Sequence, residues 1–179
     1  MSLAPLRVAA NRRGNDGMDL YLIRHADALP LGENGIHEDA ARPLTPAGRA
    51  QSSSLAAALL RQGVRLEALV TSPLTRARQT AEILLAELGA DKPRLHVCEH
   101  LAPGGKRRKL SRFLGELSLQ SVGIIGHRPD LNFYLAWLIG SKRARLDLAK
   151  AGMAFVRFEG GPDKDEGELS WLMTPKWYE

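Results

Sequence analysis

Two histidines and two arginines in this sequence stand where they could move a phosphoryl group. Arg24 and His25 follow the apolar run Leu20-Tyr21-Leu22-Ile23, Arg76 lies in Ser72-Pro73-Leu74-Thr75-Arg76-Ala77-Arg78-Gln79-Thr80, and His127 closes Val122-Gly123-Ile124-Ile125-Gly126. A planar guanidinium grips two phosphoryl oxygens at once and stays charged at any working pH. Arg24 and Arg76 could therefore neutralise the oxygens as a bond to phosphorus breaks. A neutral imidazole can attack phosphorus, and neighbouring arginines disfavour imidazolium, which would keep His25 ready near neutral pH. His127 is expected to be a second donor to the phosphoryl group, as an imidazolium stabilised by that group's negative charge. Arg78, two residues beyond Arg76, would point about 160° away on a helix, so only one of the two can face such a site.

These residues work together only if the fold delivers them to one place. Residues 20–23 read as a strand ending at Arg24-His25, 66–70 as a second ending at Thr71-Ser72-Pro73, 95–98 as a shorter third, and 122–126 as a buried fourth ending at His127. Helices are expected over 47–62, where Thr45-Pro46 supplies an N-cap and a first-turn proline and Gly63 a stop, and over 74–88, 106–117 and 130–139. Segments 154–158 and 169–173 flank a Gly/Asp-rich turn and suggest a closing hairpin. Residues 26–44, with Pro30, Gly32, Gly35 and Pro43, read as a long loop of the kind that often carries function, and 99–105 as a shorter one. Alternating strands and helices predict an α/β sandwich of three layers, a mostly parallel central sheet covered by helices on both faces. Ligands of such sheets gather beyond the carboxyl ends of the strands, where Arg24-His25, Ser72 and His127 fall. Arg76, in the first turn of its helix, opposes the helix dipole, so an anion nearby would help to explain it.

Composition narrows the possibilities. The chain has 179 residues, 44% of them hydrophobic, enough for one core, and 25 basic against 20 acidic residues give it a net charge of +5, a weak lean toward anionic substrates or acidic partners. We expect a single domain over 18–179, with 1–17 an extension outside it and Met18 an alternative start. The one cysteine, Cys98, has no partner for a disulfide or zinc site and no arginine six residues on, which argues against a cysteine-based phosphatase and fits a reducing cytoplasm. No apolar run approaches the roughly 18 residues of a membrane span. His96 and His100 flank a strand end and are not expected to bind metal, and the basic run Lys106-Arg107-Arg108-Lys109, with Arg112, lacks the aromatic platform of a nucleic-acid site. That run reads either as a solvated helix face or as a docking face for an acidic protein.

The segments Leu22-Ile23-Arg24-His25-Ala26-Asp27-Ala28 and Ser72-Pro73-x-x-Arg76-Ala77-x-Gln79-Thr80, with the late Gly126-His127, resemble the histidine phosphatase superfamily. Arg42-Pro43-Leu44-Thr45-Pro46-Ala47-Gly48 and Glu99-His100-Leu101-Ala102-Pro103-Gly104 are similar to its small SixA-type phosphohistidine phosphatases, and the likeness runs in order over about 19–173. The resemblance implies a phosphoglycerate mutase-like fold and an enzyme that needs no metal or other cofactor; separately, cysteine usage leads us to expect a cytoplasmic protein, and the absence of a visible oligomerisation seam a monomer. The resemblance also implies His25 as nucleophile, with Arg24, Arg76 and His127 binding the phosphoryl group, Arg42 extending the pocket and Glu99 as candidate acid. The implied partner is a phosphorylated protein, a histidine-phosphorylated signalling or carrier domain. Two alternatives stay open: a small-molecule phosphomonoesterase, which would depend on Glu99, and a catalytically idle phosphoprotein-binding module.

Overall fold

The computed structural model describes residues 17–89 and 92–178, so the expectation for 1–17 lies almost wholly outside the described residues. Six strands form one sheet: β1 (Met18–Arg24), β2 (Ala68–Thr71), β3 (Arg94–Val97), β4 (Ser121–Gly126), β5 (Met153–Phe158) and β6 (Glu168–Met173). Four helices accompany them: α1 (Pro46–Arg61), α2 (Thr75–Glu87), α3 (Arg107–Glu116) and α4 (Asp130–Leu138). The order across the sheet is β3-β2-β4-β1-β5-β6. β1, β2, β3 and β4 pair in parallel, whereas β5 pairs antiparallel to β1 and β6 antiparallel to β5. The sheet is therefore mixed, a parallel four-strand part extended by the expected hairpin.

The side chains of β1 show why the sheet is covered on both faces. Leu20 and Leu22 enter one apolar cluster with Leu110 and Leu114 of α3 and Leu131, Leu135 and Leu138 of α4. Tyr21 and Ile23 enter another with Leu55 and Leu59 of α1 and Ala77, Ala81 and Leu84 of α2. Alternate residues of a strand point to opposite faces, so one apolar run supplies two cores and α1/α2 and α3/α4 form the outer layers. At α1 the Thr45 hydroxyl accepts from Gly48 N at 2.9 Å and Pro46 opens the helix. Gly63, at φ +69°, follows its C-cap.

Two loops are more ordered than the sequence suggests. Residues 26–44 contain 3-10 turns at Glu33–Gly35 and Asp39–Ala41, and a bridge joins Ala28 to Leu44. A further 3-10 turn, Glu99–Leu101, follows β3. Gly48 is required here: a Cβ at that position would lie 2.0 Å from the Asp27 carbonyl oxygen, so α1 can approach the chain leaving β1 only without a side chain.

Candidate active site

The central strands of the parallel part, β2, β4 and β1, lie side by side and end level with one another. Arg24 pairs with Gly126 and Thr71 with Ile125. One residue further on, His25 N donates to Gly126 O at 3.1 Å and Ser72 N to Ile125 O at 2.9 Å. Hence His25, Ser72 and His127 emerge at one edge, and the imidazole rings of His25 and His127 face each other with centroids 5.0 Å apart. Both histidines are buried, as is Arg76, while Arg78 is exposed on the other side of α2.

The tautomer of His25 follows from its neighbours. Nδ1 is 2.7 Å from the carbonyl oxygen of Ala26, an acceptor only, so Nδ1 carries the proton. Nε2 lies 3.2 Å from Nε of Arg76, a donor only, so Nε2 presents its lone pair toward the guanidinium. The backbone behind the ring is held in turn: Ala26 N donates to Thr80 Oγ1 at 3.2 Å, and that hydroxyl donates to the Arg76 carbonyl at 2.8 Å. Gln79 accepts from Leu44 N at 2.8 Å, which binds the long loop to α2.

The pKa of His25 is lowered from 6.5 to about 4, chiefly by burial, with the Ala26 carbonyl pulling the other way and the charges of Arg76 and Arg24 adding to the fall. The arginines act as the sequence suggests, but burial is the larger cause. His127 is lowered to about 3, again chiefly by burial. In the free protein His127 is thus neutral; the imidazolium expected beside a phosphoryl group would need that group's charge to supply the stabilisation that burial removes. Its Nε2 is 2.8 Å from Ser72 Oγ. Among the described residues, His127 Nδ1 and Arg24 Nε are buried without a hydrogen-bond partner, while Arg24 Nη1 donates to Leu148 O at 3.1 Å.

The anion expected near Arg76 is Asp39, in the second 3-10 turn of the long loop. Arg76 Nη1 donates to the Asp39 carbonyl at 2.7 Å and Nη2 to Asp39 Oδ2 at 2.9 Å. Arg42 donates to Asp39 Oδ1 at 2.8 Å and through Nε to Leu29 O at 2.5 Å. Arg42 and Arg76 together hold the Asp39 carboxyl below its ordinary pKa, with the Arg42 hydrogen bond the largest cause. Arg42 therefore joins the cluster through Asp39, and two nitrogens of its fork are engaged within its own loop. Glu99 stands in the turn after the edge strand β3, exposed and without a side-chain hydrogen bond or ion pair among the described residues. Asp39 is the site residue that sequence reasoning passed over, and Ser72, placed at the right strand end, was given no role. The spacing of Asp39 to Arg42, three residues apart in one turn, was the available signal.

Comparison with known proteins agrees with this geometry. Residues 20–102 match the family model of the histidine phosphatase superfamily (branch 1). The chain is 37% identical over 170 residues to an uncharacterized protein of a Picosynechococcus strain, covering 89% of this chain and 98% of that protein. It belongs to the histidine phosphatase superfamily. Within the superfamily it is of SixA type and a phosphatase. Phosphohistidine phosphatase SixA of Escherichia coli is 29% identical over 161 residues, covering 88% of this chain and 94% of that one. A solved structure of the protein histidine phosphatase SixA complexed with tungstate superimposes with a TM-score of 0.78 at 27% identity, over 90% of this chain and 100% of that chain. Among the described residues of this SixA-type chain, no helix is long and apolar enough to cross a membrane.

Proposed function

We propose that this chain is a phosphohistidine protein phosphatase of the cytoplasm in which His25 carries the phosphoryl group between two displacements. The observation that carries the proposal is the fixed tautomer of His25: a neutral ring whose Nε2 lone pair points toward Arg76, 3.2 Å from its Nε. In the first step that lone pair forms a bond to phosphorus while the bond from phosphorus to the substrate's imidazole nitrogen breaks, and the imidazole, carrying a proton on its other ring nitrogen, leaves as a neutral ring with the electron pair. In the second, water attacks the phosphoryl group on His25, inorganic phosphate departs, and Nε2 regains its lone pair. Arg24 and Arg76 stabilise the phosphoryl oxygens in both steps. The buried, unpartnered Arg24 Nε and His127 Nδ1 are polar groups that a phosphoryl oxygen would satisfy.

The leaving group favours phosphohistidine over an ester. An alkoxide needs a proton as it departs, and the one candidate acid, Glu99, is exposed and unanchored, whereas an imidazole already protonated on its other ring nitrogen leaves neutral without an acid at the breaking bond. The names of the SixA relatives point the same way. The test is a matched pair of substrates, a phosphohistidine peptide and a small phosphomonoester, each with wild type and with Glu99→Gln. We expect the peptide to be turned over faster by at least a hundredfold and Glu99→Gln to stay within threefold on it. Faster turnover of the ester, with a large loss in Glu99→Gln, would make the chain a small-molecule phosphomonoesterase. Binding of the phosphopeptide without turnover of either substrate would refute catalysis altogether.

A further inference from the structure

The basic run of 106–112 lies along α3, and the structure separates its members. Arg107 turns toward the site: it lines a small cavity together with His127 and Asp130, and its Nη1 donates to the Phe133 carbonyl at 3.4 Å. Arg108 and Arg112, four residues apart and so on one helical face, instead line an open cavity of about 570 Å³. Trp137 of α4 and Lys164 of the β5–β6 connection complete the cationic and aromatic wall, and Asp163 is the one carboxylate on it. On α4, Phe133 stands four residues before Trp137 and is 57% exposed, so an apolar stripe runs beside the basic one.

The fold does not account for these charges. Among the described residues, Lys106, Arg108, Lys109, Arg112 and Lys164 have no ion-pair partner, although cations elsewhere do, as in Arg128–Asp147 and Lys150–Asp27. Arg107, Arg108 and Lys109 occupy the first turn of α3, where cations oppose the helix dipole, and Lys106 provides no side-chain cap. The only acid of α3, Glu116, is its last residue.

We infer that the face formed by Arg108, Arg112 and Lys164 beside Phe133 and Trp137 is a docking surface for an acidic segment of the phosphorylated protein substrate. This rests on the reading of the chain as a protein phosphohistidine phosphatase and narrows its substrate class. Because α4 begins three residues after His127 and Arg107 borders the same cavity as His127, a segment held on this face lies next to the site. Complementary charge would speed encounter and select among partners, and the effect would weaken with salt.

Two phosphohistidine peptides test the inference, one flanked by glutamates and the other by glutamines at the same positions. Wild type should show at least a tenfold higher kcat/KM for the glutamate peptide at low salt. In Arg108→Glu/Arg112→Glu the preference should vanish, while turnover of the glutamine peptide stays unchanged. Both side chains are exposed, and glutamate at position 108 suits the start of a helix, so the variant should fold. Equal handling of the two peptides by wild type, or a preference that survives in the double variant, would overturn docking and leave the phosphatase reading intact. If neither peptide is turned over, that reading fails instead, and binding of the unphosphorylated glutamate peptide decides docking alone. Saturable, salt-sensitive binding lost in the double variant supports it; no binding, or binding of an oligonucleotide in its place, overturns it.

Discussion

Replacing Arg76 with lysine keeps the charge and removes the fork, which isolates what the planar geometry contributes. The guanidinium makes three directed contacts: Nε to His25 Nε2 at 3.2 Å, Nη1 to the Asp39 carbonyl at 2.7 Å and Nη2 to the Asp39 carboxylate at 2.9 Å. A single ammonium at the end of a flexible chain can replace one of them, so two are lost. A hydrogen bond from a charged donor contributes about 1.5–3 kcal/mol. The Asp39 side chain is 51% exposed, which discounts its share, so losing the contacts that hold the fork in place beside His25 costs roughly 3–4 kcal/mol, and the transition state that depends on that placement is set to lose a similar amount. Since about 1.4 kcal/mol is tenfold in rate, Arg76→Lys should lower kcat/KM on a phosphohistidine peptide by a factor of about 10²–10³. Arg76→Gln should lower it further. It should also raise the pKa of His25 from about 4, yet not to 6.5, because burial remains its larger cause. Steady-state kinetics and imidazole NMR titration measure the two effects. A lysine variant within tenfold of wild type would refute the role given to the fork.

Three further outcomes follow from the same geometry. Gly48→Ala sets a Cβ 2.0 Å from the Asp27 carbonyl oxygen, a clash with backbone that should cost roughly 3 kcal/mol. It should lower the melting temperature by about 6–12 °C in thermal denaturation. Ser72→Ala removes the partner of His127 Nε2 at 2.8 Å and should reduce kcat about tenfold, read against an unchanged far-UV spectrum; kcat within twofold of wild type would dismiss the contact. Stability should fall on acidification below pH 6.5, because the unfolded histidines bind protons that the folded ones refuse. His25, with a folded pKa of about 4, should account for roughly 3 kcal/mol between pH 6.5 and 4, and chemical denaturation of His25→Gln should show a shallower loss over that interval.

The parts of the fold legible in the sequence are those that local patterns dictate. β1 and β4 are apolar runs buried on both faces, and α1 is bracketed by Thr45-Pro46 and Gly63, so each lies within two residues of its expected place. Their ends delivered Arg24, His25, Ser72 and His127 to one edge because neighbouring parallel strands stop in register. What was not legible depends on contacts between distant segments. Asp39 acts through Arg76, thirty-seven residues away in sequence, and Arg42 is drawn to Asp39 and to Leu29 O by a turn that no periodicity marks. That burial holds His127 neutral in the free protein was not legible either, because burial belongs to the folded chain. The basic run was visible at once, but that Arg107 faces the site while Arg108 and Arg112 face a cavity beside Trp137 required the helix in place.

The most direct test concerns the ring nitrogen of His25. The protein is incubated with a phosphohistidine peptide, quenched in base, digested and mapped, and the phosphoryl position on the ring is assigned by NMR. Because Nδ1 carries its proton toward Ala26 O and Nε2 presents its lone pair toward Arg76, the label should be acid-labile, confined to His25 and attached at Nε2. His25→Ala should acquire none. A label on another residue, attachment at Nδ1, or equal labelling of His25→Ala would contradict the account.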